Sequence, residues 1–136
     1  MERRKFIKKS GQICLGAMAG GSLLSACTKL YYAQYSMDEN TIKVAKAEFE
    51  NRTAIVIKDD RLPAPIYVTR RGDNDYAAVL MLCTHKECEV TPFGEELHCP
   101  CHGSEFTKYG QVITGPAEDD LKKFKVTTDN SYLYIS

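Results

Sequence analysis

Hydrophobic and polar positions alternate over short stretches from Thr41 to the C-terminus. Thr41 to Val44, Thr53 to Ile57, Pro65 to Thr69 and Tyr76 to Leu82 are rich in β-branched and aromatic residues, the composition that fits a pleated, half-buried strand. Lys58-Asp59-Asp60 and Arg71-Gly72-Asp73-Asn74-Asp75 separate them, and such residues favour turns. Another strand is expected at Glu96 to His98. Near the end, Lys123 to Thr128 alternates Phe124 and Val126 against Lys and Thr, and Thr128 to Ser131 turns the chain into Tyr132 to Ser136, predicting a terminal hairpin. Beyond Cys27 no stretch sustains a helical period, apart from a single turn at Ala45 to Asn51. The pattern predicts a small all-β domain of stacked antiparallel sheets over residues 41–136. Thr28 to Asn40, polar and tyrosine-containing without a clear period, reads as a tether with a docking role.

The length of 136 residues suits one domain, and a 43% apolar content excludes a disordered chain. Over the whole sequence 18 basic and 18 acidic groups cancel. Residues 1–26 hold five Lys or Arg and one acid, so 18 less five and 18 less one leave 13 basic and 17 acidic groups, a net of −4, for the rest. No basic field for nucleic acid exists.

Residues 1–26 have the charged start and apolar run of an export signal and are excluded from the fold. Gly11 to Ala26 is 16 residues and interrupted by Gly and Ser, short of the roughly 20 apolar residues of a spanning helix. Arg3-Arg4-Lys5-Phe6-Ile7-Lys8 resembles the twin-arginine signal of proteins exported already folded, with Glu2 where Ser or Thr is usual. Leu24-Ser25-Ala26-Cys27 resembles a bacterial lipobox, which implies cleavage before Cys27 and acylation of its thiol. Multiple acyl chains anchor stably, at about 0.8 kcal/mol per buried CH₂.

With Cys14 in the leader and Cys27 at the lipid site, Cys83, Cys88, Cys99 and Cys101 remain, and all three histidines, His85, His98 and His102, fall in the same short window. The ordering is Cys83-Thr84-His85 and, after thirteen residues, Cys99-Pro100-Cys101-His102: C-x-H and C-x-x-H, each with a further cysteine nearby. A C-x-H unit at a loop tip sends Cys83 and His85 to one side and Thr84 to the other. Two thiolates and two imidazoles satisfy a tetrahedral zinc ion as readily as an iron centre, so residue type and spacing leave the metal open. His98 precedes the second box and reads as an ordinary strand residue.

The window Cys83 to Ser104, with Gly115-Pro116-Ala117, resembles the Rieske iron–sulfur proteins, in which two His replace two Cys on one iron of a 2Fe-2S cluster. The resemblance implies a cluster-binding loop subdomain at about residues 81–117. It implies Cys83 and Cys99 as ligands of one iron, His85 and His102 as ligands of the other, and a Cys88–Cys101 disulfide of the kind found in cytochrome bc and b6f Rieske proteins. It also implies a proline loop at Gly115 and Pro116 over the cluster and a Ser104 hydroxyl donating to a bridging sulfide. The extra cysteine pair, the proline loop and the folded-export signal all favour iron over zinc. Two departures stand out. Phe106 replaces a Tyr whose phenol donates to a ligand sulfur, and Lys86-Glu87 replaces a Leu-Gly pair on the apolar lip that meets a quinone-binding cytochrome b. With Glu87, Glu89, Glu95, Glu96, Glu105 and Glu118-Asp119-Asp120 around these loops, negative field and the missing phenol predict a midpoint about 100 mV below the top of the Rieske range. The expected role is a lipid-anchored carrier of single electrons at the periplasmic face of a bacterial membrane, with a protein redox partner such as a cytochrome. The alternatives are a subunit of a quinol-oxidising cytochrome complex or of a periplasmic oxidoreductase of the arsenite oxidase type, and, remotely, a zinc-stabilised interaction module.

Overall fold

The computed structural model describes residues 29–136, so the leader and Cys27 lie outside it. Its strands form three four-stranded antiparallel sheets. The first orders β1 (Ser36–Asp38), β2 (Thr41–Ala45), β12 (Tyr132–Ile135) and β11 (Val126–Thr128). The second orders β10 (Lys123–Phe124), β5 (Asp75–Leu80), β4 (Ile66–Gly72) and β3 (Ala54–Ile57). The third, built only of three-residue strands, is β6 (Thr91–Phe93), β7 (Glu96–His98), β8 (Glu105–Thr107) and β9 (Val112–Thr114) in chain order. Among the described residues no helix is long and apolar enough to cross a membrane; a 3₁₀ turn at Lys46–Phe49 fills the single helical turn expected there.

The second sheet is buried on both faces. From β3, Ile55 and Ile57 join Val44, Ile66, Val68, Leu133 and Ile135 in one core, while Val56 joins Val79, Met81, Leu97 and Phe106 in another. A strand covered on both sides needs apolar residues at every position, which is why Ala54-Ile55-Val56-Ile57 runs without alternation. By contrast β2 alternates half-buried Thr41, Lys43 and Ala45 with buried Ile42 and Val44, as a strand with one wet face should.

Two expectations differ from the structure. Lys123 to Thr128 is not one strand: Phe124 pairs with Ala78 of the second sheet, whereas Lys125 exchanges two 2.9 Å backbone bonds with Ser136 and continues into β11 of the first. Phe124 and Val126 both pack on the first core, so their alternation survives a change of sheet that it cannot reveal. The segment read as a tether is paired at Tyr32 and Ala33 and again from Ser36 to Asp38. Tyr32 bridges Val56, Ala33 is buried with its N–H donating to the Val56 carbonyl at 2.9 Å, and β1 pairs with β2.

The terminal hairpin β11–β12 is closed by Asp129. Its carboxylate accepts from the N–H groups of Ser131 (2.8 Å) and Tyr132 (2.7 Å) and from the Tyr134 hydroxyl (2.6 Å). The Tyr134 bond, followed by the two backbone donors, holds the Asp129 carboxyl down at about 2.

Candidate metal centre

Two loops project from the second core, one following β5 and one joining β7 to β8. Their backbones close in the same way. The Cys83 N–H donates to the Cys88 carbonyl (2.8 Å) and the Cys83 carbonyl accepts from the Glu87 N–H (2.9 Å); the Cys99 N–H donates to the Ser104 carbonyl (2.8 Å) and the Cys99 carbonyl accepts from the Gly103 N–H (3.1 Å). In both loops the fifth residue is left-handed, Glu87 at φ 59° and Gly103 at φ 80°. Each box is thus an equivalent tight turn that fixes its cysteine at the base and carries its histidine at the tip.

The cysteines go inward. Cys83 and Cys99 are buried free thiols that pack in the second core with Leu97 and Phe106. Outward from them, the His85 and His102 rings meet edge to face with centroids 4.9 Å apart, and His102 is exposed. Thr84 points the other way, donating from its hydroxyl to the Asp119 carbonyl at 2.6 Å, which ties the first loop to the segment after Pro116. Cys88 and Cys101 are joined in a disulfide that links the two loops, and the Cys99 sulfur lies within 4.8 Å of both bridged sulfurs.

The sulfur environment is set by hydrogen bonds. Burial pushes the Cys83 thiol up, but the His85 N–H, the Cys99 thiol, the Lys86 N–H and the Ser104 hydroxyl, in that order, hold it below its ordinary value. Ser104 is fully buried; its oxygen accepts from the Ala117 N–H at 3.0 Å while its proton serves the Cys83 sulfur. This one hydroxyl connects the second box, the first cysteine and the loop at Gly115 and Pro116, whose connecting peptide bond is cis. Phe106 is fully buried and brings no donor.

The donor set fits an iron–sulfur cluster. His85 Nδ1 is buried and has no hydrogen-bond partner, a state a native side chain rarely tolerates unless another group completes it. The two thiols at the base and the two imidazoles at the rim are the mixed set of such a centre.

Other expected site residues are placed elsewhere. Glu95, Glu96 and Glu105 do not crowd the loop tips: Glu95 pairs with Lys108, Glu96 Oε2 lies 2.9 Å from His98 Nε2, and Glu105 accepts from the Thr114 hydroxyl at 3.1 Å. His98 is the cross-strand partner of Glu105 and stacks near Phe93 at 5.0 Å, whereas Leu97 between His98 and Glu96 faces the core. The exposed acids at the loops themselves are Glu87, Glu89, Glu118, Asp119 and Asp120, the last of them engaged by Lys123 at 3.1 Å and by the Val112 N–H at 2.9 Å. Sequence reading missed Thr84's tie to Asp119; a threonine between ligand-type residues, pointing away from them, was the available signal.

Residues 36–125 match the family model described as the Rieske [2Fe-2S] domain. The chain is 37% identical over 76 residues to the cytochrome b6-f complex iron-sulfur subunit 2 of a Nostoc species, covering 53% of this chain and 43% of that protein. It is 36% identical over 61 residues to the cytochrome b6-f complex iron-sulfur subunit of Chlorobaculum tepidum, covering 43% of this chain and 34% of that protein. The chain therefore spans less than half the length of these curated relatives. Among solved structures, the cyanobacterial plasma membrane Rieske protein PetC3 from Synechocystis superposes with a TM-score of 0.57 at 25% identity, over 68% of this chain and 94% of that one. With its matching domain, its three-sheet fold and its paired loops, the chain belongs to the Rieske [2Fe-2S] domain family, whose cofactor is a Rieske-type 2Fe-2S cluster.

Proposed function

We propose that Cys83, His85, Cys99 and His102 hold the cluster, and that the protein passes single electrons between redox partners through the exposed histidine edge. The observation that carries this reading is the convergence of His85 and His102 at the rim of two equivalent loops, above buried Cys83 and Cys99. The bound cluster supplies one-electron chemistry; the chain fixes its ligands, excludes water on the cysteine side and leaves the imidazole side open. Ser104 and the Lys86 and His85 N–H groups stabilise negative charge on Cys83.

Residues 1–26 act as the export signal, Cys27 as the lipid attachment site, and 41–136 as the Rieske domain, tethered at the periplasmic face of a bacterial membrane. Glu87, Glu89, Glu118 and Asp119 give the loop face a negative field, which suits a basic redox partner such as a cytochrome. The names of the curated relatives favour a second reading, a subunit of a quinol-oxidising complex; exposed Lys86 and Glu87 in place of an apolar lip weigh against its usual docking. Stopped-flow oxidation of the reduced full chain by a basic cytochrome tests the leading reading. Its rate is expected to fall steeply with ionic strength and to fall in Glu118→Gln/Asp119→Asn; a rate indifferent to both overturns the proposed docking face.

A further inference from the structure

A cleft of about 380 Å³ lies on the far side of the second sheet from the first core, between β3–β4 and the β6–β7 turn. Its volume is at the small end of the roughly 300 to 1,000 Å³ of ligand pockets. Lys29, Arg52, Arg70 and Lys108 line it; Lys108 is paired with Glu95 and Arg70 with Asp73, at 3.2 Å, so Lys29 and Arg52 supply the positive charge that no carboxylate in the cleft offsets. The net positive wall is built, not merely scattered. Arg52 donates to the Glu48 carbonyl at 2.6 Å and lies 3.6 Å over the Tyr31 ring, which fixes its guanidinium while leaving further donors open.

The floor carries an independent sign of a missing partner. On β4, Val68 enters the first core and Thr69 faces the other way, into the cleft wall. Thr69 is 2% exposed, and its hydroxyl has no hydrogen-bond partner. Beside it the half-buried Tyr67 brings a second hydroxyl. A buried hydroxyl without an acceptor, beneath a wall of guanidinium and ammonium groups, calls for an anion with several acceptor oxygens.

We propose that this cleft is an anion site that takes a phosphate group. The group can come from free phosphate or from an anionic lipid headgroup. The lipid source rests on the anchor reading above, because Lys29 at the cleft mouth follows the expected lipid-bearing Cys27 by two residues. The site uses none of the cluster loops, so it stands or falls apart from the electron-transfer reading.

The full chain in detergent, titrated calorimetrically with inorganic phosphate at low salt, tests the free anion. Flotation with vesicles of phosphatidylcholine, with and without phosphatidylglycerol, tests the headgroup. Each is run on the wild type, on Thr69→Val, which keeps the shape and removes the hydroxyl, and on exposed Arg70→Gln. The basic leader is the same in all three proteins, so differences among them report the cleft. Saturable phosphate binding, or a gain in flotation from phosphatidylglycerol, weakened about tenfold in each variant with the visible spectrum unchanged, is the expected result. A response to phosphate alone assigns free anion, and a response to the glycerol lipid alone assigns headgroup. No binding by the wild type in either arm, or equal binding by all three proteins, overturns the proposal.

Discussion

The two cluster loops share a backbone but not a residue at their left-handed position, and that mismatch has a measurable cost. A side chain in the left-handed region costs roughly 1 to 2 kcal/mol, and Glu87 sits there at φ 59° while Gly103 occupies the equivalent place at φ 80°. Glycine removes this strain but loses about 0.5 to 1 kcal/mol more on folding, so Glu87→Gly should stabilise the protein by about 0.5 to 1 kcal/mol. Gly103→Ala should destabilise it by a similar amount, because a Cβ there meets nothing within 4 Å and the cost is conformational alone. For a domain of this size either change moves the unfolding midpoint by about 2 to 6 °C, in opposite directions. Thermal unfolding of the full chain, followed together by far-UV circular dichroism and visible absorption, reads both. Glu87→Ala separates charge from strain, since it removes the carboxylate and keeps the left-handed side chain. Equal stabilisation by Glu87→Ala and Glu87→Gly, or a neutral Gly103→Ala, would refute the strain argument.

Three further outcomes are expected. Replacing Cys88 and Cys101 by Ser opens a disulfide across 13 positions and should cost roughly 3 kcal/mol by loop entropy, with hydrogen exchange rising in residues 83–104 before the distant sheets; uniform loss of protection would contradict a local role. Asp129, with its carboxyl lowered from 3.8 to about 2, contributes stability that is present above about pH 4 and lost as pH falls through about 2. Asp129→Asn should remove that part of the acid dependence in pH-resolved unfolding, and an unchanged profile would exclude the hairpin as its source. Phe106→Tyr places a hydroxyl in the core beside Cys83 and Cys99; it should raise the midpoint by on the order of 60 mV per 1.4 kcal/mol of new hydrogen bond, at some cost in packing, and a lower or equal midpoint by voltammetry would count against the missing-donor reading.

Much of the fold was legible because burial leaves a residue-level imprint. Ile42 and Val44 alternate on a half-wet strand, Ala54 to Ile57 run apolar on a doubly covered one, and Asp129 stands at a turn it closes. Strands of three residues leave too little pattern: β6, β8 and β9 each carry one or no buried side chain and are held by pairing to neighbours, which sequence does not display. Pairing also explains the segment from Tyr32 to Asp38, whose tyrosines and polar groups look like a tether until Ala33 bonds to Val56 and β1 to β2. At the site, residue type and order sufficed to single out the cysteine and histidine boxes. The equivalence of the loops, the Ser104 link from Ala117 to Cys83 and the engagement of Glu95, Glu96 and Glu105 away from the tips depend on contacts between segments far apart in the chain. Nothing in the sequence marks Thr69 as a hydroxyl without a partner.

Electron transfer through the histidine edge requires Cys83, His85, Cys99 and His102 together to hold one 2Fe-2S cluster. Iron, acid-labile sulfide and zinc measured on the purified full chain and on His102→Ala, side by side, test it most directly. Two irons and two sulfides per chain in the wild type, both lost in His102→Ala, are the predicted result. One zinc with no sulfide in the wild type, or undiminished iron and sulfide in His102→Ala, would contradict it.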